Sequence, residues 1–310
     1  MYHPVGRLVG HTADVLKACY ADVTSASVLS CSIDSTIKLW DTSTESVSTT
    51  KLANKGSISD FCIAGNHVFT SGDEGINHWD LRSRETHPVL FGVYVNVVIS
   101  SDNRTLVTSS ETGDLHLVDL IAGKTLLRVR AHGKRISNLH LSSDNSTVLS
   151  TSLDGTIKTW SAISGDPINS FTSQSQSRCL HGCFLGSNEI AGLFGDDVLR
   201  IWDIENRSEV CRSMRGLNVG NSIKNFCEAD GDYLVIPGAT GTLQFFKDGI
   251  LSRTSPRVHI DDISFVSASG DRLLSSGYGV DSSIVMWKRH ESLVEPRITF
   301  NEVYPQIVGL

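Results

Sequence analysis

The chain has 310 residues, of which 40% are hydrophobic and 20% are charged, and its formal net charge is -7. This is the composition of an ordinary globular protein, and the length allows two domains or one large all-β domain. The negative charge argues against direct binding of nucleic acid, because neutralising phosphates requires a cationic surface.

Neither a membrane span nor a secretory signal is visible in the sequence. No apolar run approaches the roughly 20 residues that a transmembrane helix needs, and residues 1–10 contain no basic segment followed by an apolar one. The seven cysteines are odd in number and form no CxxC pair, which favours free thiols in a reducing compartment. We therefore expect an intracellular protein, cytoplasmic or nuclear, that does not contact membranes.

Seven strand-like runs follow one another along the chain at a regular period. Their last positions are Trp40, Trp79, Val118, Trp160, Trp202, Phe246 and Trp287, spaced by 39 to 44 residues. Six residues before these positions lie Asp34, Asp73, Thr112, Asp154, Asp196, Thr240 and Asp281, five of which are aspartate. Because two independent markers share one period, the sequence predicts seven copies of one structural unit.

The units consist of short strands. Residues 156–160 alternate between β-branched and polar side chains and follow the turn-forming stretch 153–155. We find no amphipathic helical pattern of useful length, so we predict an all-β fold.

Several of these positions resemble the WD40 repeat. Gly10-His11, Asp34 and Trp40-Asp41 match its motif, and similar sets occur in the fourth and seventh units. The resemblance covers residues 6–288 and implies a seven-bladed β-propeller with four strands per blade. We therefore predict a single propeller over residues 1–288, closed by residues 7–9 as the outermost strand of the seventh blade, and a C-terminal extension over residues 289–310.

The resemblance also implies a hydrogen-bond network of His, Ser or Thr, Asp and Trp within a blade. The expected members are His11, Ser30 or Ser32, Asp34 and Trp40 in blade one, His132, Ser150 or Ser152, Asp154 and Trp160 in blade four, and His259, Ser275 or Ser276, Asp281 and Trp287 in blade seven. Because the His–Asp pair recurs around the ring, we interpret it as structural rather than catalytic.

Motifs that would indicate catalysis are not found. The sequence has no Walker-type phosphate loop, no HExxH and no GxSxG, so we expect no enzyme activity, no catalytic residue, no bound metal and no cofactor. Cys179, His181 and Cys183 alternate along one predicted strand and could share a face as zinc ligands. A packed strand is the favoured interpretation of these three residues.

A second motif lies in blade two. Trp79-Asp80-Leu81-Arg82 resembles the WDxR signature of substrate receptors that dock on the DDB1–cullin 4 ubiquitin ligase, and the resemblance implies that Arg82 projects from the bottom of the ring. His78 departs from the aliphatic residue that is usual in that motif. The alternative interpretation is an exposed arginine that follows a strand.

The loops after each Gly-His position are expected at the top opening of the ring. They supply the candidate partner contacts Asp14, Ser57, Tyr94, Lys134, Arg135, Arg178, Asn221, Asp261 and Asp262. Cations that face acids suit a peptide or protein epitope, although ordinary loop polarity explains them equally well. The sequence thus predicts a non-catalytic scaffold that binds other proteins in a multi-subunit complex. The alternatives are a ligase adaptor that uses Arg82 and, less favoured, a propeller enzyme that uses His181 and the cysteines.

Overall fold

The computed structural model describes residues 2–21, 26–52, 56–83, 86–173, 175–214, 217, 225–229, 233–238, 240–247 and 249–289. These residues form seven antiparallel sheets of four strands each, which confirms the predicted all-β propeller of seven blades. They include no helix of the length and apolarity that crossing a bilayer requires. The predicted C-terminal extension, residues 289–310, lies outside the described residues except for Arg289.

The strands follow the chain blade by blade, with β1 (Tyr2–Val9) preceding the first blade. Blade one contains β2 (Val15–Tyr20), β3 (Ser27–Ser32), β4 (Thr36–Asp41) and β5 (Ser46–Leu52). Blade two contains β6 (Ile58–Ala64), β7 (His67–Gly72), β8 (Gly75–Asp80) and β9 (Thr86–Phe91). Blade three contains β10 (Tyr94–Ile99), β11 (Thr105–Ser110), β12 (Asp114–Asp119) and β13 (Lys124–Arg130).

The second half of the ring repeats this order. Blade four contains β14 (Ile136–Leu141), β15 (Thr147–Ser152), β16 (Thr156–Ser161) and β17 (Pro167–Thr172). Blade five contains β18 (Cys179–Leu185), β19 (Glu189–Phe194), β20 (Val198–Asp203) and β21 (Ser208–Met214). Blade six contains β22 (Cys227–Ala229), β23 (Tyr233–Pro237), β24 (Leu243–Lys247) and β25 (Ile250–Thr254), and blade seven contains β26 (Ile263–Ser269), β27 (Arg272–Gly277) and β28 (Ser283–Arg289).

The fourth strand of blade seven is β1, so the two ends of the propeller share one sheet. β1 pairs antiparallel with β28 and places Leu8 opposite Ile284. The Arg7 guanidinium donates to the Asp281 carboxylate at 3.2 Å and to the Val258 carbonyl at 2.5 Å. The predicted closure by the N-terminal strand is confirmed, and it pairs an edge that would otherwise be open.

Two sets of loops define the two sides of the ring. The loop before each innermost strand meets the loop between the second and third strands, as where the Thr12 amide donates to Asp34; this side is called the top rim. The loop between the first two strands meets the loop between the last two, as where the Thr42 amide donates to the Ala26 carbonyl; this side is called the bottom rim.

The core is divided among the junctions between blades. Seven buried apolar clusters each combine side chains from two neighbouring blades. In blade one, Val15 and Trp40 belong to the junction with blade seven, whereas Leu29 and Ile37 belong to the junction with blade two. Burying both faces of each blade supplies the main stabilising free energy.

The innermost strands of six blades share a β-bulge, and the residue that follows it is polar in five of them. The register between the first two strands shifts at the same place in six blades, and the residues just after the shift are Lys17, Asp60, Asn96, Asn138, His181 and Phe265. A bulge re-aims the side chain that follows it. Side chains in or beside the innermost strands make hydrogen bonds to the neighbouring blade. We call this set of hydrogen bonds the inner ring.

The inner ring runs in one direction around the propeller. Its hydrogen bonds, by blade, are Lys17 to the Phe61 carbonyl, the Val97 amide to Asp60, Asn96 to the Ile136 carbonyl, Asn138 to the Gly182 carbonyl, Asn225 to the Val266 carbonyl and Ser267 to the Ala18 carbonyl, at 2.6 to 3.1 Å. At the junction of blades five and six, the His181 ring lies edge-on to Phe226, with centroids 5.0 Å apart.

Candidate functional site

The His, Ser, Asp and Trp of blade one lie in direct contact. His11 Nδ1 is 2.8 Å from Asp34 Oδ2, and His11 Nε2 is 2.7 Å from Ser30 Oγ. The Trp40 indole N–H donates to the same Ser30 hydroxyl oxygen at 2.8 Å. The four side chains therefore form one continuous network between the top rim and the buried face of the blade.

Blades four and seven repeat this arrangement. The distances from His to Asp, from His to Ser and from Trp to Ser are 3.2, 2.8 and 2.8 Å in blade four and 2.9, 2.9 and 3.0 Å in blade seven. The serines that take part are Ser150 and Ser275. In all three blades the aspartate also accepts a hydroxyl hydrogen two residues later, from Thr36, Thr156 or Ser283.

The network determines where the histidine proton resides. Because Ser30 Oγ accepts from Trp40, its own hydrogen is directed at His11 Nε2, so the His11 proton is on Nδ1 and is donated to Asp34. Burial lowers the pKa of His11, and it lowers that of His132 to about 4. A neutral, buried imidazole with both nitrogens engaged has no proton to exchange with a substrate, which favours a structural role.

Blades two and five replace the histidine with a serine. Ser57 donates its hydroxyl and its amide to Asp73 at 2.7 and 3.0 Å. Ser175 donates its hydroxyl to Asp196 at 2.7 Å, and Arg200 pairs with the same carboxylate at 2.6 Å. A short hydroxyl thus fixes the turn aspartate where the imidazole is missing.

Blade three uses an ion pair instead. Asp114 lies two residues after the predicted marker Thr112 and pairs with Arg128 at 2.7 Å and with Arg130 at 3.5 Å. Arg128 and Arg130 are therefore engaged by a carboxylate of their own blade.

The structure separates the cysteines that could have been zinc ligands. Cys179 packs in the junction of blades four and five, whereas Cys183 packs in the junction of blades five and six. The bulge between Cys179 and His181 breaks the alternation that would place all three side chains on one face. The expectation that they could share a face is wrong, and the described residues contain no group of three His, Cys, Asp or Glu side chains that could hold a metal ion.

The three predicted acids of the top rim bind main-chain amides. Asp14 accepts from Gly279, Asp261 from Val280, and Asp262 from Thr240, at 2.9, 2.8 and 3.3 Å. Asp14 belongs to blade one and Gly279 to blade seven, so this bond crosses the seam where the ring closes. These carboxylates connect loops, and their presence at the rim is thus explained without a partner.

The predicted cations of the top rim are placed differently. Lys134 and Arg178 are exposed and Arg135 is half-buried. Their backbone is held in place, because the Arg135 carbonyl accepts from the Leu153 amide and the Arg178 carbonyl from the Gly195 amide. Lys134, Arg135 and Arg178 are called the basic arc; none of them forms an ion pair with another described residue.

Another predicted contact does not lie on an accessible rim. Tyr94 is 8% exposed and packs against His116 with ring centroids 5.3 Å apart, because the strand begins at that residue and turns its ring into the junction with blade two. The expectation that Tyr94 is available to a partner is therefore wrong. Asn221 lies outside the described residues.

Arg82 lies on the bottom rim, and 68% of its side chain is exposed. Its guanidinium folds back onto Asp80, with Nε and Nη2 donating to the carboxylate at 3.1 and 2.8 Å. This bidentate pair lowers the pKa of Asp80. A partner that binds Arg82 would have to compete with Asp80 for the same donors.

Comparison with known proteins agrees with the repeat. Residues 2–41 and 123–161 match the family model described as WD domain, G-beta repeat. Guanine nucleotide-binding protein subunit beta-1 of Nicotiana tabacum is 28% identical over 167 residues, which are 49% of this chain and 44% of that protein. Autophagy-related protein 16 of Arabidopsis thaliana is 28% identical over 145 residues, which are 44% of this chain and 28% of that protein.

A further relative is WD repeat-containing protein 82 of Drosophila melanogaster. It is 27% identical over 173 residues, which are 52% of this chain and 54% of that protein. The chain thus spans between about a quarter and about a half of the length of these relatives.

Proposed function

Because two parts of this chain match the WD40-repeat family model and the chain folds as a seven-bladed propeller, we propose that it is a non-catalytic scaffold that binds other proteins within a larger complex. The observation that carries this proposal is the division of the polar groups between two uses. The side chains of the described His–Asp–Ser–Trp networks bond to one another inside the blades, whereas the basic arc is presented to solvent on a fixed backbone.

The basic arc supports binding of an acidic protein segment on the top rim. Lys134 and Arg135 in blade four and Arg178 in blade five lie on neighbouring loops, and the nearby turn is held by bonds from Ser152 to the carbonyls of Lys134 and Arg135. A backbone that is already fixed adds little to the entropy lost on binding. Complementary charge also increases the association rate at low salt.

This proposal includes an intracellular location, cytoplasmic or nuclear. Six cysteines lie in the part of the chain whose side chains are described, and all six are free thiols. Reduced cysteines agree with such a compartment.

Affinity purification with mass spectrometry tests the proposal. We expect wild-type protein to retain a stable partner set that the double variant Arg135→Glu/Arg178→Glu loses, with both proteins folded to the same thermal midpoint. The matched control is Arg207→Glu/Lys288→Glu, which reverses two exposed cations at the bottom ends of blades five and seven. Equal partner recovery by all three proteins would contradict a contact through the basic arc.

A second candidate function is that of an adaptor for the DDB1–cullin 4 ligase. It is favoured by the position of Arg82 on the bottom rim with two-thirds of its side chain exposed. Arg82→Ala should abolish adaptor recovery while the basic arc variant keeps it. Adaptor recovery that is unaffected by Arg82→Ala would exclude this role.

A further inference from the structure

Blade two carries three histidines and a phenylalanine on one face. Phe69 pairs across the strands with His78, and His78 pairs with His87. His67 lies two residues before Phe69 and therefore on the same face. This face is directed at blade three, since Phe69 belongs to the apolar cluster of that junction.

The four rings border a cavity of about 400 Å³ at the bottom rim. Blade three contributes Asn103, Leu120 and Gly123 from its two bottom loops, and blade two adds Pro88 and Val89 beside the rings. The volume is within the range of small-ligand pockets. Apolar walls with a few convergent polar groups are typical of such pockets.

Imidazoles at these positions are not needed for the propeller. The residue that corresponds to His78 in the other six blades is Leu39, Leu117, Thr159, Ile201, Phe245 or Met286, and each pairs with the second strand in the same register. Five of the six are apolar. Blade two therefore departs from the scaffold at the point where the cavity opens.

Two of the histidines form a hydrogen-bonded pair. His67 Nδ1 is 2.9 Å from His78 Nε2, and His78 also stacks on Phe69 with centroids 4.8 Å apart. When both rings are neutral, the pair has one outer N–H donor and one outer acceptor. When the pair takes up one proton, the inner bond remains and both outer nitrogens become donors.

We propose that this cavity binds a carboxylate carried on an apolar group, namely an acidic side chain within an apolar segment of a partner protein, and that binding takes up one proton on the His67–His78 pair. A carboxylate accepts from one outer N–H of the pair, and its negative charge favours the protonated pair over the neutral pair. Only the source of the carboxylate, a partner protein, rests on the proposed scaffold function.

The charges around the pair are consistent with proton uptake. Burial lowers the pKa of His78, as do the neighbouring His67 and His87, whereas Asp80 on the same strand raises it. Asp80 is itself paired with Arg82, and blade three places Asp102, Arg104 and Lys124 beside the loops that line the cavity. The lowered pKa of His78 favours its neutral form in the free cavity, and an incoming carboxylate supplies the charge that stabilises an added proton.

The test uses the full chain, treated with a chelator, and phenylacetate as the probe, with phenylacetamide as its neutral counterpart. NMR of the histidine C–H groups should show shifts for His67, His78 and His87 with phenylacetate at pH 6, while His11, His132 and His259 remain unchanged. The apparent Kd should rise by about tenfold per pH unit between pH 7 and pH 8, as linkage to one proton requires. Calorimetry in buffers of different ionisation enthalpy should report an uptake that approaches one proton.

The decisive variant is His78→Leu, which installs the residue that blades one and three carry at this position. It should fold normally and bind phenylacetate at least tenfold more weakly, and His67→Asn should behave in the same way. Equal binding of phenylacetamide, pH-independent binding, full binding by His78→Leu or loss of binding after chelation would each overturn the proposal. The peptide acetyl-Leu-Glu-Leu-amide should compete with the probe, whereas its Gln counterpart should not. If phenylacetate binds but the Glu peptide does not compete, the proposal that a partner protein supplies the carboxylate would be overturned.

This experiment is independent of the basic arc. Arg135→Glu/Arg178→Glu should bind phenylacetate as the wild type does. Partner recovery tests the basic arc, and phenylacetate binding tests the cavity. Because the two are measured separately, the failure of one proposal can be told from the failure of the other.

Discussion

One serine hydroxyl joins the tryptophan to the histidine in blades one, four and seven. Two serines per blade fit the sequence, because residues two apart lie on the same face of a strand. The structure distinguishes them by their distance from the turn: Ser30 reaches both His11 and Trp40, whereas Ser32 donates to the Ala13 carbonyl. Residue type and spacing thus predicted the network, but the choice of hydroxyl depended on strand register.

Removing that hydroxyl should be costly. Ser150→Ala leaves the Trp160 N–H and His132 Nε2 buried without their shared partner, and we expect a loss of about 1–3 kcal/mol in the free energy of unfolding. Urea denaturation measures the loss. Ser143→Ala, in an exposed loop of the same blade, should change stability by less than about 0.5 kcal/mol; equal effects of the two would contradict the assignment.

The same histidines should make stability depend on pH. Burial lowers the pKa of His132 from 6.5 to about 4, so the unfolded chain binds a proton in a range where the folded chain does not. Their contribution is therefore intact above pH 6.5 and is lost as the pH falls towards 4. Asp34 does not contribute in this window. Burial raises its pKa, but hydrogen bonds from Thr36 and the Thr12 amide outweigh this and bring it to about 2.

Urea midpoints between pH 7.5 and pH 4.5 check this expectation. The midpoint should fall with pH in the wild type and fall less steeply in His132→Gln, which has no imidazole to protonate in that blade. Identical slopes for the two proteins would show that His132 does not titrate differently in the folded and unfolded states.

At the scale of the strand, the bulge decides what the innermost strands do. Period-2 alternation predicted that Cys179, His181 and Cys183 could share a face, and the bulge overturned this because it inserts one residue into the pairing. A bulge is a property of two paired strands, so a pattern within one strand does not show it. The residues that follow it in blades one to four supply inner-ring contacts, which no local motif indicated.

The ion pair of the inner ring offers a direct test. Lys17 donates to Asp60 at 2.7 Å, and the two side chains are only 22% and 14% exposed. Burial lowers the pKa of Lys17, but Asp60 outweighs burial and raises it. Asp60→Ala should therefore destabilise the protein by about 3 kcal/mol, because it leaves a buried ammonium group without its carboxylate.

Two further variants complete this test. Lys17→Met/Asp60→Leu should recover the part of the lost stability that is due to the unpaired ammonium group, although the Val97 amide lacks its acceptor in both variants. Glu111→Ala, at an exposed turn of the top rim, serves as the control and should have almost no effect. A double variant as unstable as Asp60→Ala would indicate that the packing of these chains matters more than their charge.

At the scale of the whole molecule, the period predicted the number of blades and the way the ring closes. The chemistry of the rims was less predictable. Asp14, Asp261 and Asp262 bind loop amides, and Tyr94 belongs to a strand, because small differences in where a loop ends decide whether a side chain is exposed. Similarly, the unusual His78 was visible in the sequence, but its partners His67 and His87 lie on other strands and required the pairing register.

Closure of the ring can be tested on β1 with two neighbouring residues. Leu8 is fully buried in the junction of blades seven and one, whereas Val9 is 66% exposed. Leu8→Asp should cost roughly 4 kcal/mol or more, because it places an unpaired charge in a core, and amide exchange in β28 should accelerate. Val9→Asp should change neither property; protection of β28 that survives Leu8→Asp would show that β1 is dispensable for the ring.

The seam in blade seven also has a consequence in time. β1 is made first, but its partner β28 begins at Ser283, and ribosomes add about 5–20 residues per second. The first strand therefore waits roughly 15–60 s for its partner during synthesis. Throughout that interval an apolar strand and a growing row of open blades must be kept from other nascent chains. A premature stop before Ser283 would leave β1 without its partner permanently, so truncation at the end of the propeller should impair its folding as much as loss of β1 itself.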